Sequence, residues 1–191
     1  MKLKIYLFRH GESFFNREKE FTGWKDSKLT KVGHQNAKTV AQKLKNKTFQ
    51  VAYQTRLSRS KDTLKEVLKF HPECKKIIKD DRMIERSYGQ LQGKKHTTII
   101  KKYGQKQFDI WHRSYDLPPP GGESIKDVEK RVKSFIKDLL KKMKKEKVNV
   151  AISAHGNSMR PFRRYFEKLT IKQMMKLENP WDDYFEYTIN I

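Results

Sequence analysis

The chain has 191 residues, enough for a single domain over residues 1–191 that buries roughly 70% of its unfolded surface without disulfide or metal staples. The lone cysteine, Cys74, excludes an internal disulfide; no apolar run nears the roughly 18 residues of a membrane span, and Met1 to Lys4 lead straight into a strand, so a cytoplasmic protein with no membrane partner is expected. Lys and Arg number 44 against 22 acids, a net charge of +22 that draws anions, yet lysines such as Lys137, Lys141, Lys142, Lys144 and Lys145 scatter along a helix without interleaved aromatics, which reads as a solvated face ahead of a specific nucleic-acid partner.

Ile5 to Phe8 reads as a buried strand, and Lys31 to Leu44 carries Ala37, Val40, Ala41 and Leu44 at helical spacing. Phe49 to Tyr53 is a second strand, followed by a helix from Leu57 to Phe70 with Leu64, Val67 and Leu68 on its apolar face. Ile77 to Ile84 is a weaker strand candidate, Ser87 to Gly93 is turn-like, and Thr97 to Tyr103 is helical. The run from Leu117 to Gly122, with three successive prolines, is a fixed loop because proline gives the backbone no donor. Ser124 with Asp127 three residues on forms an acidic capping box that opens the longest helix, whose apolar face is Val128, Val132, Phe135, Ile136, Leu139, Leu140 and Met143. Val148 to Ile152 is a strand, Met159 to Leu169 a helix, and Phe185, Tyr187, Ile189 and Ile191 alternate through a closing strand. Strands alternating with helical crossovers predict an α/β fold, a three-layer α/β/α sandwich with a mostly parallel central sheet.

Arg9-His10-Gly11-Glu12-Ser13 follows the first strand and Ala154-His155-Gly156-Asn157-Ser158 follows the Val148 strand, so two of six histidines occupy like places. Ligands of open α/β sheets sit beyond the carboxyl ends of strands, and both imidazoles are expected in one crevice. A neutral imidazole at His10 is a nucleophile toward phosphorus, Arg9 offers a planar fork to phosphate oxygens, and Asn16 with the amides around Gly11 completes a cradle. His155, protonated beside a phosphate, would donate to the equatorial oxygens in the transition state. Taken singly, each histidine reads as a capped turn or a satisfied surface imidazole; the duplication beside Arg9 points to a site. No metal is expected, since neither histidine lies in a zinc spacing such as H-E-x-x-H and the nearby acids form no ligand set.

Those two runs, together with Phe21-Thr22-Gly23-Trp24, Glu85 to Gly93 and Tyr115 to Pro120, resemble the cofactor-dependent phosphoglycerate mutases of the histidine phosphatase superfamily, in the right order and through nearly the whole chain. The resemblance implies a phosphoglycerate mutase-like fold and a ping-pong phosphoryl transfer through a phosphohistidine at His10. It implies priming by 2,3-bisphosphoglycerate without a metal, and interconversion of 3-phosphoglycerate and 2-phosphoglycerate in glycolysis and gluconeogenesis. It also implies catalytic roles for His10, Glu85 as proton donor, His155, Arg9 and Arg59. Substrate contacts are implied for Ser13, Asn16, Thr22, Gly23, Arg86, Tyr88, His96, His112, Arg113, Gly156 and Asn157.

Without the motif, Glu85 reads as an ion pair with Arg86 or Arg82, the glycines as turns, Tyr88 as packing, and Arg56 as a surface residue. His96 and His112 stand where the family carries a lysine and an arginine, so affinity for a carboxylate or distal phosphate is expected to change and to gain a pH dependence. The segment from Gly121 to Ser124 is short, as in shorter mutases and in the phosphatase branch. The chain ends at Ile191, where longer relatives carry a tail resembling a lid, and elevated hydrolysis is expected. The alternatives are a histidine-dependent phosphomonoesterase acting on small acidic esters, and a basic nucleic-acid or anion-binding protein on the same fold. The expected partner is a small phosphorylated molecule, with the chain a monomer or small homo-oligomer.

Overall fold

Strand β1 (Lys2–Arg9) buries Leu3, Ile5 and Leu7 on one face and Tyr6 and Phe8 on the other. Burial on both faces is what a strand inside a mostly parallel sheet requires. The computed structural model describes residues 1–190 and adds β2 (Val51–Gln54), β3 (Lys76–Lys79), β4 (Val150–Ala154) and β5 (Tyr184–Asn190). The sheet order is β3-β2-β4-β1-β5, parallel throughout except for β5, which runs antiparallel to β1. Phe185, Tyr187 and Ile189 of β5 pack against the core as their alternation predicts; Ile191 lies outside the described residues.

The helices are α1 (Phe14–Arg17), α2 (Lys31–Leu44), α3 (Ser58–Leu68), α4 (His96–Tyr103), α5 (Gln105–Arg113), α6 (Ile125–Glu146), α7 (Gly156–Glu167) and α8 (Ile171–Met175). Val40, Ala41 and Leu44 of α2 and Leu64 and Val67 of α3 cover the Tyr6–Phe8 face. Val132, Phe135, Ile136 and Leu139 of α6, with Met159 and Phe162 of α7, cover the other. The layers are therefore helix, sheet, helix. Phe21, Tyr88, Leu91, Ile99 and Phe108 form a third apolar cluster that holds α4 and α5.

Four segments differ from the sequence reading. The strand expected over 77–84 stops at Lys79, because the Asp80 carboxylate accepts from the Arg82 amide and turns the chain into a single 3-10 turn over Asp81–Met83. Helix α5 has no counterpart in the sequence reading; only Phe108 of it is buried, and it starts directly after Gly104, whose φ of 82° separates it from α4. The short helices α1 and α8 are set by local caps on Ser13 and Thr170.

Helix α6 begins as its capping box predicts: the Ser124 hydroxyl accepts from the Asp127 amide at 3.1 Å, and the Asp127 carboxylate accepts from the Ser124 amide at 2.9 Å. Ser124→Ala is expected to lower stability by about 1 kcal/mol, read as a drop in the urea midpoint at unchanged slope. An unchanged midpoint would mean that tertiary packing alone sets the start of this helix.

Candidate active site

Strands β1 and β4 are adjacent and parallel, with Arg9 opposite Ala154, and the His10 amide donates to the Ala154 carbonyl at 3.0 Å. The residues that leave these strands, His10 and His155, consequently meet with ring centroids 4.9 Å apart and exposures of 1% and 0%. Gly11 lets the β1 loop close over the start of α2: a Cβ there would sit 2.1 Å from the Gly33 carbonyl oxygen.

Hydrogen bonds assign the tautomers. His10 Nδ1 lies 2.7 Å from the Gly11 carbonyl, which can only accept, so Nδ1 carries the hydrogen and Nε2 keeps its lone pair. Arg59 Nε donates to that Nε2 at 3.3 Å. His155 Nε2 lies 2.8 Å from the Thr55 hydroxyl, which has no other acceptor, so Thr55 donates and the hydrogen of His155 sits on Nδ1. Burial first, then the Arg59 charge, hold both imidazoles well below the ordinary histidine value. Both rings therefore favour the neutral form, and His155 Nδ1 has no acceptor among the described residues.

Two arginines complete the cluster. Arg59 is anchored by donating to the Gly23 and Lys25 carbonyls at 2.9 and 3.1 Å. Arg9 donates to the Asn179 carbonyl at 3.0 Å and stacks over Trp181 at 4.9 Å. Arg9 Nε and His155 Nδ1 are buried donors with no protein acceptor, both beside His10. That pairing fits the oxygens of a phosphoryl group. Glu85 Oε1 accepts from the backbone amides of Arg86 and Asn157 at 2.9 and 3.0 Å, while its carbonyl accepts from Trp24 Nε1 and Arg131. No side-chain ion pair forms with Arg82, which binds Asp80 and Asp138. Ligand atoms of His10, Glu85 and His155 come within 4.8 Å of one another, a set that spacing did not suggest; the charges of Arg9 and Arg59 beside it favour an anion over a cation.

Above this cluster lies a polar cavity of about 160 Å³, well below the roughly 300–1,000 Å³ of drug-sized sites. Arg9, Asn16, Thr22, Gly23, Glu85 and Tyr88 line it, as do His96, His112, Arg113, Gly156 and Asn157. Ser13 and Arg86 do not. The Ser13 hydroxyl caps α1 and donates to Asn16 Oδ1, and Arg86 lies fully buried, donating to the Glu123 and His112 carbonyls. His10, His155 and Arg59 sit behind the lining, closed to solvent.

Sequence reasoning missed Glu20, Arg160, Glu178 and Asn179 in the cavity wall, and Thr55 behind it. The segment 177–179 is strapped to the site: Arg160 donates to the Leu177 carbonyl, Arg163 to the Glu178 carbonyl and Asn179 side chain, and Asn179 Nδ2 to the Gly156 carbonyl. Arg160 and Arg163 lie three residues apart on the helix that follows His155, the one signal in the sequence that bears on this contact.

Residues 5–188 match the description "Histidine phosphatase superfamily (branch 1)". The chain belongs to that superfamily. It is 39% identical over 181 residues to the 2,3-bisphosphoglycerate-dependent phosphoglycerate mutase of Brucella melitensis, an alignment covering 93% of this chain and 88% of that one. The fold is similar to a mycobacterial glucosyl-3-phosphoglycerate phosphatase, with a TM-score of 0.83, 20% identity and coverage of 98% and 91% of the two chains. It is also similar to a phosphoglycerate mutase from Bacillus anthracis, with a TM-score of 0.79, 21% identity and coverage of 98% and 88%. This histidine phosphatase thus shares its fold with a phosphatase and with a mutase.

The neutral imidazoles have a consequence for stability. His10 and His155 bind a proton near pH 6.5 when unfolded and well below it when folded, so their contribution is complete above pH 6.5 and is lost as the pH falls below it. Stability is expected to drop by about 1 kcal/mol for each ring between pH 6.5 and 5.5. Thermal melts across that window check this, with His10→Asn flattening the slope; a Tm constant from pH 7 to 5.5 would mean that the rings are charged in the folded chain.

Proposed function

We propose that this histidine phosphatase is a 2,3-bisphosphoglycerate-dependent phosphoglycerate mutase that works without a metal, in glycolysis and gluconeogenesis. The observation that carries phosphoryl transfer is the His10 Nε2 lone pair flanked by two unpartnered buried donors, Arg9 Nε and His155 Nδ1. The likeness to the Brucella melitensis enzyme over nearly the whole chain supports the mutase assignment within that chemistry.

In this reading His10 Nε2 attacks phosphorus while Arg9, Arg59 and His155 take the equatorial oxygens. The N–P bond forms as the P–O ester bond breaks, and Glu85 passes its proton to the leaving oxygen. In the return step a glycerate hydroxyl attacks the phosphorus, the N–P bond breaks and Glu85 recovers a proton. The Nδ1–H bond to Gly11 holds the His10 ring through both steps. Bound 2,3-bisphosphoglycerate would supply the first phosphoryl group, held by the same Arg9, Arg59 and His155. A cytoplasmic setting suits the free Cys74, and no helix among the described residues is long and apolar enough to cross a membrane.

A second reading, a phosphomonoesterase, is favoured by the cavity wall, where His96 and His112 offer no permanent charge to hold a glycerate between half-reactions. Conversion of 3-phosphoglycerate and release of inorganic phosphate, followed together with and without catalytic 2,3-bisphosphoglycerate and with a chelator present, separates the two. Isomerisation far exceeding phosphate release supports the mutase; phosphate release alone makes the chain a phosphatase.

Two substitutions probe the machinery. His10→Ala is expected to abolish phosphoenzyme labelling, and a labelled variant would remove His10 as nucleophile. Thr55→Val removes the donor that fixes the His155 tautomer, and kcat is expected to fall about tenfold or more with KM within about twofold. Equal loss in both constants would mean that Thr55 acts through packing alone.

A further inference from the structure

The two arginines beside His10 are held in different ways. Arg59 is fixed by three hydrogen bonds, to His10 Nε2 and to the Gly23 and Lys25 carbonyls. Among the described residues Arg9 makes a single one, from Nη1 to the Asn179 carbonyl at 3.0 Å, and its buried Nε has no acceptor. A guanidinium tethered through one nitrogen is free to turn about that bond, so other contacts must set its plane.

Two such contacts lie on its flat face. The guanidinium carbon of Arg9 sits over the indole of Trp181, 4.9 Å from the ring centroid. On Gly156, a Cβ would stand 3.3 Å from Arg9 Cζ and 3.4 Å from both Nε and Nη2. Near-equal distances to three atoms put that point over the guanidinium plane and not at its edge, so bare backbone lies against Arg9 where a side chain would crowd it. The indole is itself held by packing, since its Nε1 is buried with no acceptor among the described residues. The chain on either side of it is pinned: Asn179 bonds the Gly156 carbonyl at 2.9 Å and Arg163 at 3.0 Å, and Asp183 pairs with Lys43 at 3.2 Å.

We infer that Trp181 is a positioning residue for phosphoryl transfer, its π face fixing the plane of the Arg9 guanidinium so that Nε is presented beside His10. The inference rests on the reading of His10 as the phosphoryl-accepting group and of Arg9 as a donor to the phosphoryl oxygens. A carboxylate would orient the guanidinium too, but it would offset the charge that the phosphoryl oxygens meet. An aromatic face and a backbone carbonyl restrain the cation and leave its charge in place.

The test is equilibrium binding of orthovanadate, which takes the five-coordinate geometry of a transferring phosphoryl group, measured by calorimetry in a double-mutant cycle. Trp181→Leu and Trp181→Met, which fill the site without a π face, are each expected to weaken vanadate about tenfold. Trp181→Phe keeps a ring face and gives up no hydrogen bond, and is expected to stay within about threefold. In the Arg9→Gln chain the same Trp181→Leu and Trp181→Met steps are expected to change affinity by less than about twofold, whereas a role in packing alone would weaken binding equally with and without Arg9. Urea midpoints identify which variants are folded, and either aliphatic variant suffices for the cycle. Equal losses in the two backgrounds, a loss with Phe as large as with Met or Leu, or unchanged affinity in the aliphatic variants overturns the inference. Vanadate that binds a His10→Asn chain as tightly as the unaltered one removes His10 as the group that meets phosphorus, while the cycle still decides whether Trp181 acts through Arg9; a chain that binds no vanadate overturns both.

Discussion

Parallel pairing of β1 with β4 is the constraint on which the site depends. A parallel ladder fixes the two strand ends at the same height, and with Arg9 opposite Ala154 the next residue on each strand is a histidine. A slip of one residue would send one imidazole to the opposite face of the sheet. The register is protected because both strands are buried on both faces, β4 at every position. The chemistry is therefore as rigid as the core beneath it.

Charge at the site is organised against the trend of the surface. The exterior is crowded with lysine, whereas the crevice uses arginine, buried and pinned by backbone carbonyls: Gly23 and Lys25 for Arg59, Asn179 for Arg9 and Leu177 for Arg160. The planar guanidinium tolerates this because several donors are satisfied at once and its hydration is weak. The loss of water and the same positive charges disfavour a proton on His10 and His155, which leaves the lone pair on His10 Nε2. Thr55 and the Gly11 carbonyl then decide which nitrogen of each ring carries the hydrogen. Farther out, His96 and His112 pack on the apolar cluster of Phe21 and Phe108, which leaves a charge on either ring poorly solvated.

Much of this was legible in local sequence. Helix α2 runs from Lys31 to Leu44 as its spacing predicts, and the Ser124–Asp127 box begins α6. Strand β1 was legible as a continuous apolar run, since a strand covered on both faces shows no alternation. The two His-Gly steps announced a shared crevice. Helix α5 was hidden because only Phe108 of its nine residues is buried, and strand 77–84 was overcalled because Asp80 diverts the backbone locally.

What the sequence determined by itself is therefore what depends on neighbours within a few residues: helical faces, caps, the proline loop, and the identity of the groups at the two strand ends. Sheet order, the antiparallel β5, the tautomers, and the presence of Arg160, Glu178 and Asn179 in the cavity were decided by tertiary structure. Asn179 reaches Arg9 across 170 positions and Thr55 reaches His155 across 100. Contacts of that span leave no periodicity in the chain, because they arise only when separately formed elements pack together and exclude water.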